Sequence, residues 1–206
     1  MKAVKLAVAA LAIGYAVAPA AAQLPNQPVY AIPKGVGLGL NADLGFGVDP
    51  SGSSGIAVRA TLGLPMIKLT LGLAPDMMDN GGENTLMVGG AFQLIPMPVS
   101  IRLQANAGRG LTSNNMNVAI GGVIGLNVPS PALSVEPWVF PSIRLSIPDV
   151  GESSSNIGVA AGVNIGLPGG IGGHAALDVT RVGDANVIGA GVGLHYMLSV
   201  PGLGMM

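Results

Sequence analysis

The sequence predicts an all-β protein, an antiparallel sheet closed into a transmembrane barrel of ten strands, with eight as the alternative count. Three observations carry this. Long stretches alternate an apolar residue with glycine or a small polar residue. Such stretches recur about ten times, each at the length of a strand. The connections between them are of two kinds that follow one another in strict alternation.

Gly35–Val48 shows the first observation most clearly. Val36, Leu38, Leu40, Ala42, Leu44, Phe46 and Val48 fall on one face. Gly35, Gly37, Gly39, Asn41, Asp43, Gly45 and Gly47 fall on the other. A period of two is the signature of a strand. A helix through the same residues would carry many interior glycines, each costing ~1 kcal/mol relative to alanine. The same alternation marks segments at about 35–48, 55–64, 66–74, 85–95, 98–108, 116–128, 134–147, 155–167, 171–181 and 186–198. Most are close to the ~9–11 residues a tilted strand needs to cross a bilayer. The segment 134–147 contains Pro137 and Pro141, which donate nothing to a strand ladder, and is the least regular of the ten.

The odd-numbered connections are polar: "DPSGSS", "PDMMDNGGEN", "GRGLTSNN", "PDVGESS" and "VGDA". The even-numbered ones are short, apolar and proline-bearing: Pro65, "PMP", "PSPA" and "PGG". Two classes in alternation mean two different ends, as in a membrane barrel with long loops outside and short turns in the periplasm. A soluble sandwich would instead pair its apolar face with a large charged one. Here only 9% of residues are charged and 33 are glycine. Ten strands at 4.8 Å spacing and ~40° tilt enclose a backbone cylinder roughly 20 Å across. Glycine on the inner face suggests space there, and the apolar face suits lipid.

The first 22 residues read as a cleaved secretory signal. Lys2 and Lys5 precede the apolar run Leu6–Ala18, and Ala20–Ala22 provides small residues for cleavage before Gln23. A membrane anchor is the competing reading, but the run is short of the ~20 residues a spanning helix needs. The expected organisation is therefore a signal at 1–22, a short periplasmic N-terminal segment at 23–34, the barrel at 35–198 and a periplasmic tail at 199–206. Cysteine is absent, so disulfides and thiolate chemistry are excluded. The net charge of −1 gives no basic field for nucleic acid.

On signal, strand pattern and alternating connections, the whole mature chain resembles the small outer-membrane β-barrel proteins of Gram-negative bacteria. The resemblance implies outer-membrane lipid and lipopolysaccharide as surroundings, and the barrel assembly machinery as a partner. Two features differ from that class. The last strand is followed by "SVPGLGMM" rather than ending on an aromatic, and no aromatic girdle is visible. Trp138 and Phe140 share the inward side with Glu136 and Arg144.

Seven of the ten acids fall in the polar connections: Asp49, Asp76, Asp79, Glu83, Asp149, Glu152 and Asp184. They read as solvated loops, or as cation binding beside lipopolysaccharide. The remaining charges lie mostly on the glycine face. Asp43, Glu136 and Asp178 stand there with Arg59, Lys68, Arg102 and Arg144, and a hairpin loop of four to six residues would set Asp43 opposite Arg59. These are the expected lumen-lining residues, forming either a network that satisfies buried charge or a selectivity ring. His174 and His195 join them as expected cross-strand neighbours if residues 183–186 form the ninth loop. Two imidazoles with Glu136 could hold zinc, but no short ligand spacing is present, so no metal or other cofactor is expected.

No nucleophile elbow or phosphate loop appears, and the glycine runs simply follow the strand period. The chain is read as a non-enzyme. A secreted adhesin would show repeats of fixed length, and none is found. The functional expectation is a narrow passive pore for small hydrophilic solutes. The alternative is a plugged barrel with a structural or surface-binding role.

Overall fold

The computed structural model describes residues 24, 27–33, 35–49, 51–77, 83–96, 98–129 and 132–199. The expected signal, 1–22, and all of the expected tail except Ser199 lie outside the described residues. Among those described, ten long strands form one antiparallel sheet: β1 Gly37–Asp49, β2 Ser51–Gly63, β3 Ile67–Ala74, β4 Thr85–Ile95 and β5 Val99–Gly110. Then follow β6 Met116–Leu126, β7 Ser134–Ile147, β8 Ser154–Gly166, β9 Ile171–Val182 and β10 Ala185–Leu198. A two-residue piece, Val128–Pro129, continues β6 beyond Asn127 and also pairs with β7.

Each strand pairs with the next, and β1 pairs with β10, so the sheet closes on itself. The closure is strongly sheared. A row of partners that starts at Gly37 passes through Gly63, Lys68, Ala91, Gln104, Gly121, Ser142, Gly158 and Thr180 to Val187. Its neighbour Ile188 pairs with Asp49, at the opposite end of β1. Climbing a whole strand in one circuit is what tilting the strands demands, and tilt is what closes a barrel of this size.

The alternation sorts the faces as the pattern requires. Along β1, Leu38, Leu40, Leu44 and Phe46 are exposed, while Gly39, Asn41, Asp43 and Gly45 are buried. The exposed set on the other strands is likewise leucine, isoleucine, valine and phenylalanine. Trp138 and Phe140 point inward and are buried. β7 runs through both of its prolines. Its ladder to β6 is interrupted between Gly121↔Ser142 and Ile124↔Val139, the interval that holds Pro141, which lacks the N–H to donate.

Two hairpins are tighter than the sequence suggested. β2 begins at Ser51, so Arg59 pairs with Asn41 and not with Asp43. The ninth connection is only Gly183–Asp184, with Gly183 at φ 60°, a two-residue hairpin that glycine permits without a Cβ clash. His174 therefore pairs with Gly193, and His195 with Gly172. Both shifts are of two residues, so every side chain keeps its face.

Inward glycines do not leave the interior open. A Cβ on Gly162 would fall 2.5 Å from the Trp138 ring, and one on Gly125 would fall 2.7 Å from Glu136 Oε1. Gly193 faces His174 and Asp43, and Gly158 faces Arg144. Each of these glycines is a slot beside a large inward side chain. The space expected from composition is taken up by neighbours reaching across it.

Candidate functional site

The lumen holds the charges that the alternation placed there. Arg59 meets Asp43 through two bonds, Nε–Oδ2 at 2.6 Å and Nη2–Oδ1 at 2.9 Å. The pair is diagonal, reached by side-chain length across the two-residue register difference. Arg144 grips Asp178 in the same forked way, both bonds at 3.1 Å. Arg102 donates to Glu136 at 2.9 Å, and Ser100 donates to the same oxygen at 3.1 Å. Lys68 sits near the short-turn end and donates to the carbonyls of Leu64 and Gly35. All seven charged side chains are buried. Buried charge is tolerated when paired and hydrogen-bonded, and three forked or shared pairs meet that condition.

The two histidines form one unit despite the register shift. Their rings stack at 5.6 Å, with Nδ1 facing Nδ1 at 3.3 Å. Nε2 of His174 lies 2.6 Å from Asp43 Oδ1 and 3.2 Å from Arg59 Nη2. A carboxylate only accepts and a guanidinium only donates, so the shorter contact assigns a proton to Nε2. Glu136 is held elsewhere, by Arg102, Ser100 and Asn164. Among the described residues no three metal-ligating side chains are placed so that they could hold a metal ion.

The main difference from the sequence reading lies before β1. Residues 23–34 were expected as a segment outside the barrel. Their described part, Leu24 and 27–33, lies inside it. Gln27, Val29, Tyr30, Ala31 and Ile32 are all buried. Three lumen side chains read the main chain of this segment. Asp178 accepts from Val29 N at 2.9 Å. Gln104 accepts from Ile32 N at 3.1 Å and donates to Tyr30 O at 2.8 Å. Arg102 donates to Ile32 O at 2.7 Å.

Side chains anchor it as well. The Tyr30 ring stands edge-on to His174 at 4.8 Å and carries the Arg59 guanidinium at 4.7 Å on its face. Gly191 provides the room, because a Cβ there would strike the Tyr30 hydroxyl and Pro28 Cδ. Val29, Tyr30 and Ala31 join Ala119, Val123, Trp138, Phe140, Ala160 and Ala176 in one apolar cluster. Leu24 packs with Ala57, Ala74 and Met87 in a second.

The segment has a direction. Ile32 is held by Arg102, early in β5 and so towards the short-turn end. Gln27 donates to Gly55 O, early in β2 and so towards the polar-loop end. There Gln27 N donates to Leu24 O. The cavity left beside it measures about 10 Å³ and is bordered by Leu24, Tyr30, Asp43, Arg59, Met87 and Asn106. That is room for about one water molecule. A larger depression of about 700 Å³ lies on the outer wall, where Ala42 and Ala60 are ringed by Leu40, Leu71 and Leu73. Acyl chains would fill it in a bilayer.

No sequence signal marked this segment as lumenal, because it has no period of two. The usable hint was an uncharged run, "PVYAIP", in front of a barrel whose inner face is too poor in large side chains to fill itself.

No protein-family model matches the sequence, and no curated protein matches it. Solved structures with a similar fold include the N-terminal β-barrel domain of Pseudomonas aeruginosa OprF. It is 13% identical over 80% of this chain and 100% of that one, with a TM-score of 0.41. The KdgM porin, solved with disordered oligogalacturonate, is 10% identical over 78% of this chain and 99% of that one, at 0.45. Neisserial surface protein A is 11% identical over 80% and 100%, at 0.41.

Proposed function

We propose that this chain is an outer-membrane barrel protein kept closed by its own N-terminal segment, with a structural or surface-binding role and not that of a standing pore. The observation that carries the reading is the set of four bonds from Asp178, Gln104 and Arg102 to the main chain of residues 29–32. A lumen whose inward charges are paired and whose axis is occupied offers no continuous water path.

Membrane placement rests on the outer wall. Leu40, Leu71 and Leu194 are each more than three-fifths exposed, on strands that meet around the closure. A closed wall also leaves no sheet edge to expose its backbone groups, the condition for spanning lipid. On this reading the surroundings are outer-membrane lipid and lipopolysaccharide, and the barrel assembly machinery inserts the chain. The reading includes no catalytic role, since His174 and His195 are engaged with each other, and His174 with Asp43. A narrow passive pore for small hydrophilic solutes is the second reading. It is favoured by the polar inward set of Asn41, Asn106, Gln104 and the paired charges, and it requires residues 27–33 to leave.

Both readings are separated by extracting the protein from isolated outer membranes with detergent and reconstituting it in planar bilayers. The expected result is silence from the wild type and openings from a full chain with Val29, Tyr30 and Ile32 all changed to serine. Recovery without detergent would contradict the location, and steady wild-type conductance would contradict the closed state.

A further inference from the structure

We propose that the barrel lumen is a binding site for an extended, uncharged peptide, and that residues 27–33 are its resident, displaceable ligand. The inference rests on the reading of the chain as a plugged barrel and adds what the lumen recognises.

The wall treats the segment as a ligand and not as an eleventh strand. The hydrogen bonds described above that join residues 27–33 to the barrel each use a side chain on one partner. The main chain of the segment is read by side chains, Asp178, Gln104 and Arg102. Gln104 alone spans residues 30 and 32, accepting from one N–H and donating to the carbonyl two residues before it. That is the spacing a neighbouring strand would read, and it selects an extended backbone whatever its side chains. The wall keeps its closed ladder without it, because β1 to β10 pair only with one another and with the short extension of β6.

Specificity comes from one slot and one wall. Tyr30 fills the slot over Gly191, between Arg59 and His174. Its ring carries a guanidinium over its face and meets an imidazole in a T-shaped contact, so an aromatic is preferred there. Val29 and Ala31 lie against the apolar wall that includes Val123, Trp138 and Phe140. Ile32 is fully buried between its two main-chain bonds. The ligand class is therefore aliphatic, aromatic, small, aliphatic, in extended form and without charge. Ionic groups would compete with three carboxylate–guanidinium pairs already formed.

A covalently attached ligand has an effective concentration in the mM range, so the wild-type lumen resists a competitor. The test uses the full chain with Tyr30→Ala, which weakens the resident segment and leaves the wall untouched. The probe is a fluorescent synthetic peptide of residues 27–33, blocked at both ends and with its tyrosine intact. Saturable binding is expected to this variant. Affinity for the wild type should be at least about tenfold lower, and a peptide carrying alanine in place of the tyrosine should also lose about tenfold, each equivalent to ~1.4 kcal/mol. Adding Gln104→Ala to the barrel should weaken the peptide as well. Heat-modifiable migration confirms that each barrel is folded. Should Tyr30→Ala fail that check, Ile32→Ser weakens the resident segment while leaving the slot over Gly191 open, and is the second background. Equal binding of a scrambled peptide, or no saturable binding to either folded variant, overturns the proposal. Conductance by the wild type overturns the plugged reading instead, so the two failures are distinguishable.

Discussion

At the scale of residues, one carboxylate organises the group around Tyr30. Asp43 receives Arg59 through two bonds and His174 through a third, and Tyr30 rests on both of those partners. Removing one member of a buried pair leaves the other charge without compensation, at ~3–5 kcal/mol. Asp43→Ala should therefore lower barrel stability by about that amount. His195→Gln, at a half-buried ring on the edge of the group, should cost little. Urea titration of heat-modifiable migration would compare the two, and equal midpoints would contradict this arrangement. The inward identity of these residues was legible from alternation alone. Their pairing was not. Both hairpins closed two residues tighter than the turn composition implied, and only long side chains restored the expected neighbours.

At the scale of elements, the polar loops are tied by particular bonds and the lumen segment by another set. Glu83 precedes β4 and accepts from Thr112 N at 3.0 Å and Ser113 N at 2.8 Å, so it fastens the loop after β5. Partial burial pushes the Glu83 carboxyl up, but the bonds from Ser113 and Thr112 outweigh it and hold the group below its ordinary 4.5. A depressed carboxyl stabilises the folded loop above the unfolded value and loses that contribution as pH falls through the folded one. Protection of the Ser113 amide, relative to its intrinsic exchange rate, should therefore be high at pH 6 and fall below about 4.5, and Glu83→Gln should remove that fall. Constant protection down to pH 3 would contradict it. The ten strands themselves were legible, each within a few residues of its bounds, because period two is a backbone property. The segment 27–33 was not, because its placement depends on what the lumen lacks and on no pattern of its own.

At the scale of the whole molecule, three features depend on one another. Tilt closes the sheet, closure turns one face to lipid, and the small inner residues on the other face leave a lumen that its own long side chains and one extended segment fill. Composition suggested a watery interior because glycine was read as space. In the folded barrel Gly162 accommodates Trp138, Gly193 accommodates His174, and Gly191 accommodates Tyr30. The same counts of glycine and inward charge fit an open pore or a filled one, and only the position of residues 27–33 decides between them. The most direct measurement is the nuclear Overhauser contact between the Tyr30 ring and the His174 imidazole in the detergent-solubilised full chain. The sequence has only three tyrosines and two histidines, so these signals can be assigned by substitution. With ring centroids 4.8 Å apart, strong cross-peaks are predicted, lost in Tyr30→Ala and His174→Gln alike. A Tyr30 ring that shows cross-peaks only to detergent or water, in a barrel otherwise folded, would contradict the filled lumen.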